Sequence, residues 1–156
     1  MARRKSRGRP NPPQIHIYTE GESEVLYLNY LKNLVGVRHH KRLVVKSKRK
    51  QSLDLYYYVQ KEYRKHDFVN SPTTIILVID KDDTSTSDLK KLKKLCSESN
   101  FTLVFLNACF ELWLLLHFER VTANLNREEL KKRIEGRIGK KYKKTDKPMF
   151  EKIVRR

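Results

Sequence analysis

The chain has 156 residues, with 35 Lys and Arg against 18 Asp and Glu for a net charge of +17. That length is one ordinary domain with a core of its own. No run of about eighteen apolar residues occurs, no apolar stretch follows the basic start, and Cys96 and Cys109 match no metal-knuckle or dithiol spacing. The sequence therefore predicts a cytoplasmic protein with free, buried thiols, no membrane contact and no secretory signal. The charge is uneven: Met1 to Arg9 carries +5, Arg38 to Lys50 +7 and Arg127 to Arg156 +8, leaving the remainder at −3. A neutral-to-acidic centre framed by basic flanks suits a polyanion-binding protein with a cation site, so nucleic acid is the expected partner.

Residues 1–13 hold five Arg and Lys among Gly8, Pro10, Pro12 and Pro13, cannot build a core, and read as a flexible basic arm. Arg3 and Arg4 are its candidate phosphate contacts. The alternating Gln14 to Thr19 reads as the first strand and runs into Glu20-Gly21-Glu22. A helix follows with Val25, Leu28, Leu31 and Val35 on one stripe and Gly36 as its stop. Glu20 then stands at the carboxyl end of a strand. Glu22 and Glu24 fall in the first helical turn, where the helix dipole explains them.

Leu43-Val44-Val45 is a short strand bracketed by positive charge, and Lys46, Lys48, Arg49 and Lys50 are candidate nucleic-acid contacts. Ser52 is placed to cap a helix from Leu53 to about His66, with Leu55, Tyr56, Val59 and Tyr63 on one face. Tyr56, Tyr57 and Tyr58 cannot all face one side. An amphipathic tyrosine face is the plain reading, and stacking on bases the functional one.

Thr73 to Ile79 is mostly β-branched and reads as a strand buried on both faces, ending in Asp80-Lys81-Asp82-Asp83. Carboxylates at alternate positions repel unless a cation lies between them, and Asp80 and Asp82 suit a hard ion such as Mg²⁺ or Mn²⁺. Lys81 is the cation closest in sequence. Thr84 to Ser87 offers N-caps for a helix with Leu89, Leu92 and Leu95 on one stripe and Lys90, Lys91, Lys93 and Lys94 opposite. Phe101 to Leu106 is the fourth strand. Phe110 to Phe118, leucine-rich with only Glu111 and His117 polar, reads as a buried helix whose carboxylate needs a cation or partner. His117 reads as a satisfied boundary histidine. Asn126 and Glu129 predict a capping box for a helix through Leu130, Ile134 and Arg137 that Gly139 ends, followed by a basic loop over 140–147.

Strand and helix alternate four times, which predicts an α/β three-layer fold: a central parallel sheet of about four strands with helices on both faces, in one domain over 14–156 with a basic C-terminal helical region. Glu20, Asp80 with Asp82, and Glu111 then gather at one sheet edge, an acidic metal pocket ringed by Lys and Arg that suits phosphodiester chemistry.

A strand–Glu-Gly turn followed by a strand–Asp-x-Asp turn resembles the Toprim domain of topoisomerases, primases and OLD-type nucleases. Tyr18-Thr19-Glu20-Gly21-Glu22-Ser23-Glu24 and the stretch from Asn107 to Phe118 look like the RloB family of small Toprim-like proteins, met in bacterial and archaeal defence loci. Ala108 stands where the family pattern leads one to look for proline. The resemblance implies a Toprim/Rossmann-like fold and a Mg²⁺- or Mn²⁺-dependent nuclease of DNA or RNA. By that resemblance Glu20, Asp80, Asp82 and Glu111 are catalytic, with Glu20, Asp80 and Asp82 as metal ligands. It also admits other subunits of a defence complex or a homo-oligomer as partners. Two alternatives stand beside it. One is a non-catalytic nucleic-acid-binding or assembly module on the same fold. The other is a haloacid-dehalogenase-type phosphatase with Asp80 as nucleophile, disfavoured because its Asp-x-Asp-x-Thr motif belongs on a first strand and here lies on the third.

Overall fold

The structure, a computed structural model, describes residues 11–34, 43–81 and 83–155. The elements run β1 (Gln14–Thr19), α1 (Glu22–Leu34), β2 (Leu43–Ser47), α2 (Ser52–Tyr63), β3 (Thr73–Asp80), α3 (Thr86–Glu98), β4 (Thr102–Leu106), α4 (Phe110–Leu115), α5 (Arg127–Ile138) and α6 (Lys147–Val154). The four strands form one all-parallel sheet in the order β2-β1-β3-β4. Helices lie on both faces, which makes a three-layer Rossmann-like fold. Among the described residues no helix is long and apolar enough to cross a membrane, and Cys96 and Cys109 are free and buried.

Parallel neighbours need crossovers, and right-handed crossovers decide the faces. The step from β1 outward to β2 puts α1 on one face; the return from β2 across to β3, then on to β4, puts α2 and α3 on the other. On the α2/α3 face, Tyr18, Ile75, Leu77 and Ile79 pack with Leu55, Tyr56, Val59, Tyr63, Leu92 and Cys96. On the opposite side Tyr27 of α1 packs with Phe110, Leu114, Leu130, Ile134, Phe150 and Ile153 of α4, α5 and α6.

β3 lies inside the sheet, yet it is sealed on one face only. Ile75, Leu77 and Ile79 are buried, whereas Ile76 and Val78 are half-covered because the helices opposite α2 and α3 gather toward α1 and the carboxyl edge. Three further expectations are corrected. Gln51, not Ser52, is the N-cap of α2; Ser52 has a φ of 45°, which turns its N–H onto Glu20, and its hydroxyl is left without a partner. The buried helix expected over 110–118 spans six residues as α4, with Trp113 and Leu116 about half exposed. The basic loop ends early, since Lys147 opens α6 behind an Asp146 cap. Ser85 caps α3, and Asn126 with Glu129 forms the capping box of α5, as their spacing predicts.

Candidate active site

The strand order creates the crevice. From β1 the chain leaves toward β2, and from β3 it leaves toward β4, so the loops beyond their carboxyl ends part in opposite directions. Ligands of open α/β sheets gather at such switch points. Glu20 follows β1 and Asp80 ends β3, one on each side of it. A cleft of about 700 Å³ opens there, lined by Glu20, Glu24, Asp80 and Glu111 and rimmed by Arg49, Lys50 and Lys144.

Glu20 is tied down by backbone. One carboxylate oxygen accepts from Ser52 N–H at 2.6 Å and the other from Asp80 N–H at 3.1 Å. Burial nevertheless pushes its pKa up against those two bonds. The N–H of Asp80 therefore joins the two predicted acidic residues directly. Asp80 itself is 7% exposed. Its Oδ2 lies 3.5 Å from the Arg127 guanidinium; its buried Oδ1 makes no hydrogen bond of normal geometry, although the Phe110 N–H lies near the carboxylate. Burial first, then the charges of Glu24, Glu20 and Glu111, pushes its pKa up to about 7. Glu111, in the first turn of α4, is 3% exposed.

The structure adds residues that the sequence reading left out. Glu24 is buried, and burial followed by the Glu111 charge raises its pKa. It was readable as more than a dipole complement, because it lies at helical spacing from Leu28 and Leu31 on the apolar stripe of α1. Arg127, the first residue of α5, pairs with Asp83 at 3.1 Å as well as with Asp80. No local signal marks it, since the pairing spans 47 positions. The loop before α6 closes the far wall: Ser23 Oγ donates to the Lys144 carbonyl at 3.0 Å. The buried hydroxyl of Tyr142 lies beside Ser23 and near Glu111 and Glu24.

The remaining predicted residues divide. Arg49 pairs with Glu22 at the rim and Lys50 lines the cleft. Lys46 and Lys48 lean over the rings of Tyr18 and Tyr58. Lys81 is exposed beyond the strand end. Arg3, Arg4 and Asp82 lie outside the described residues. Among the described residues, no three His, Cys, Asp or Glu side chains are drawn together tightly enough to hold an ion. Glu20 faces two backbone amides and Asp80 lies beside Arg127, while Asp82, the third predicted ligand, is not among the described residues.

The family model for RloB-like protein matches residues 15–154, nearly the whole chain. No curated protein and no solved structure matches it. The chain belongs to the RloB-like family.

Proposed function

We propose that this RloB-like chain is a Toprim-type nuclease that hydrolyses phosphodiester bonds of DNA or RNA with Mg²⁺ or Mn²⁺, in defence against foreign nucleic acid. The observation that carries the reading is Asp80, a buried carboxylate beside three others, with one oxygen short of a normal hydrogen bond. Burying such a group costs stability unless something fills the gap, and an all-oxygen donor set with such a buried oxygen fits a hard divalent ion. Glu20, Asp80 and Asp82 are the residues that would hold it. Bound there, the ion would offset phosphate charge and acidify an attacking water. The chain supplies the rest. Ser52 and Asp80 N–H groups fix the Glu20 carboxylate for proton transfer. Glu111 sets the wall of the cleft from the start of α4. Arg49, Lys50 and Lys144 on the rim attract the phosphate backbone.

The deciding experiment is a cleavage screen over single- and double-stranded DNA and RNA with each metal, using wild type, Asp80→Ala and Glu20→Gln. The wild type should cut, and both variants should bind but not cut. Full cleavage by Asp80→Ala would refute the assignment. Binding without cleavage by wild type under every metal would leave a non-catalytic module, the reading that the Arg127–Asp80 pair would then favour.

A further inference from the structure

The outer side of α2 carries two adjacent tyrosines with ring surface left over from the core: Tyr57 lies outside it, and Tyr58 packs against its margin. Tyr56 is buried, but Tyr57 is 44% exposed and Tyr58 half-buried, on the two flanks of the helix's solvent side. Lysines from two other elements lean over their rings. Lys48 Nζ is 4.7 Å and Lys50 Nζ 5.9 Å from the Tyr58 ring centroid, and Lys91 of α3 is 6.0 Å from that of Tyr57. Two acidic groups lie in the strip: Glu62 accepts the Tyr58 hydroxyl and so fixes that ring, and the exposed Asp54, one helical turn before both tyrosines, also lines the cleft. Lys50 also lines the acidic cleft. Tyr57 lies five residues past the start of α2, a rise of about 7.5 Å along the helix. The aromatic strip therefore begins where the acidic cleft ends.

Exposed rings flanked by ammonium groups offer a nucleic acid two contacts: a π-face for each base and a cation for each phosphate. Lysine's flexible four-carbon stem can leave a ring for a phosphate when a base arrives. A duplex offers no free base faces to such a surface, because its bases stack on one another. We infer that Tyr57 and Tyr58 form a base-stacking platform that holds single-stranded nucleic acid beside the cleft, with Lys48, Lys50 and Lys91 on its phosphates. The inference rests on the nucleic-acid reading above and adds the strand class and the contact residues.

The test is fluorescence anisotropy of the full chain in EDTA with a labelled single-stranded oligothymidine, an abasic strand of equal length, and a duplex. The oligothymidine should bind most tightly. Joint Tyr57→Leu and Tyr58→Leu substitution should weaken that binding ~10-fold or more while leaving the abasic strand unchanged, as loss of base stacking predicts. An unchanged far-ultraviolet circular dichroism spectrum and melting temperature show that the variant is folded. Tyr57→Phe with Tyr58→Phe, which keeps both rings, should bind as wild type. Equal affinity of wild type for abasic and base-bearing strands, or full oligothymidine binding by the leucine variant, overturns this inference alone. Wild type that binds no oligonucleotide at low salt overturns the nucleic-acid reading together with it.

Discussion

Both faces of the sheet bury polar groups, and they treat them in opposite ways. On the α2/α3 face, His16 meets the Tyr63 hydroxyl, Tyr63 lies 3.1 Å from the Tyr18 hydroxyl, and Tyr18 donates to Glu62 at 2.7 Å. Hydrogen bonds from Tyr58 and Tyr18 hold Glu62 below its ordinary pKa, against the opposing effect of its burial. Each link of this chain has a partner, so desolvation is offset where it occurs. At the carboxyl edge toward α1 and α4, Glu24, Asp80 and Glu111 are buried together, and one oxygen of Asp80 lacks a hydrogen bond of normal geometry, with the Phe110 N–H near the carboxylate. The first arrangement is what stability alone would choose. The second opposes stability, and proteins keep such arrangements at sites of binding and chemistry.

Asp80 gives the sharpest test of that contrast, because neutralising it should stabilise the protein while abolishing its activity. Its pKa rises from 3.8 to about 7 on folding, so the folded chain binds the proton more tightly than the unfolded one. Below about pH 4 both states are protonated and nothing is lost; as pH climbs toward 7 the folded state progressively loses that advantage. Asp80→Asn escapes the loss. Urea unfolding should show a gain on the order of 4 kcal/mol at pH 8, less than half of that at pH 5 and little at pH 3, from about 1.36 kcal/mol per pKa unit. Mg²⁺ at pH 8 should raise the melting temperature of wild type and leave Asp80→Asn unmoved. A variant less stable at pH 8 would mean that Asp80 is held by its surroundings like any structural carboxylate.

The tyrosine chain should answer with the opposite sign. Tyr63→Phe removes the hydroxyl that faces both His16 and Tyr18; Tyr18 keeps Glu62, but the half-buried His16 Nδ1 is left unpaired. Stability should fall by about 1–3 kcal/mol, the usual cost of such a loss. Cleavage should be unchanged, because the network is built on the face away from Asp80. Unfolding and cleavage measured on one preparation check both halves, and a loss of cleavage in the folded variant would join the two regions that the contrast separates.

The sequence made the frame of this arrangement readable, and it stopped where pairing crosses long distances. Runs of β-branched residues between helical stripes announce a parallel sheet, and carboxylates at strand ends put Glu20 and Asp80 on its edge. Glu111 was legible because a carboxylate inside a leucine-rich stretch needs a reason. Arg127 was not, since a capping box tells where α5 begins and says nothing of what its first residue faces. Ser52 misled for a local reason: Ser before an apolar stripe normally caps, but its positive φ spends the backbone N–H on Glu20. In α6, the buried set Met149, Phe150, Ile153 and Val154 was hidden by a segment that reads first as charge. Charge composition describes the surface of that helix, and helical spacing describes its packing.

The smallest expected effect on stability tests whether Glu24 belongs to the working edge. A Cβ placed on Gly21 would come within 2.6 Å of the Glu24 carboxylate, which folds back over the turn between β1 and α1. The clash is with the end of a side chain and not with backbone, so the turn need not move; Glu24 must swing away. Gly21→Ala should therefore change stability by less than about 1 kcal/mol, in the range of substitutions that leave the core intact. Gly136→Ala is the matched control: a Cβ there meets nothing within 4 Å. In the interior of α5 it should add about 0.5–1 kcal/mol through helix propensity, with cleavage unaltered. If Glu24 shares the charge of the cleft with Asp80 and Glu111, Gly21→Ala should shift the metal concentration needed for half-maximal cleavage while Gly136→Ala does not. Identical metal titrations for the two variants would place Glu24 outside the working edge and make its burial a matter of packing alone.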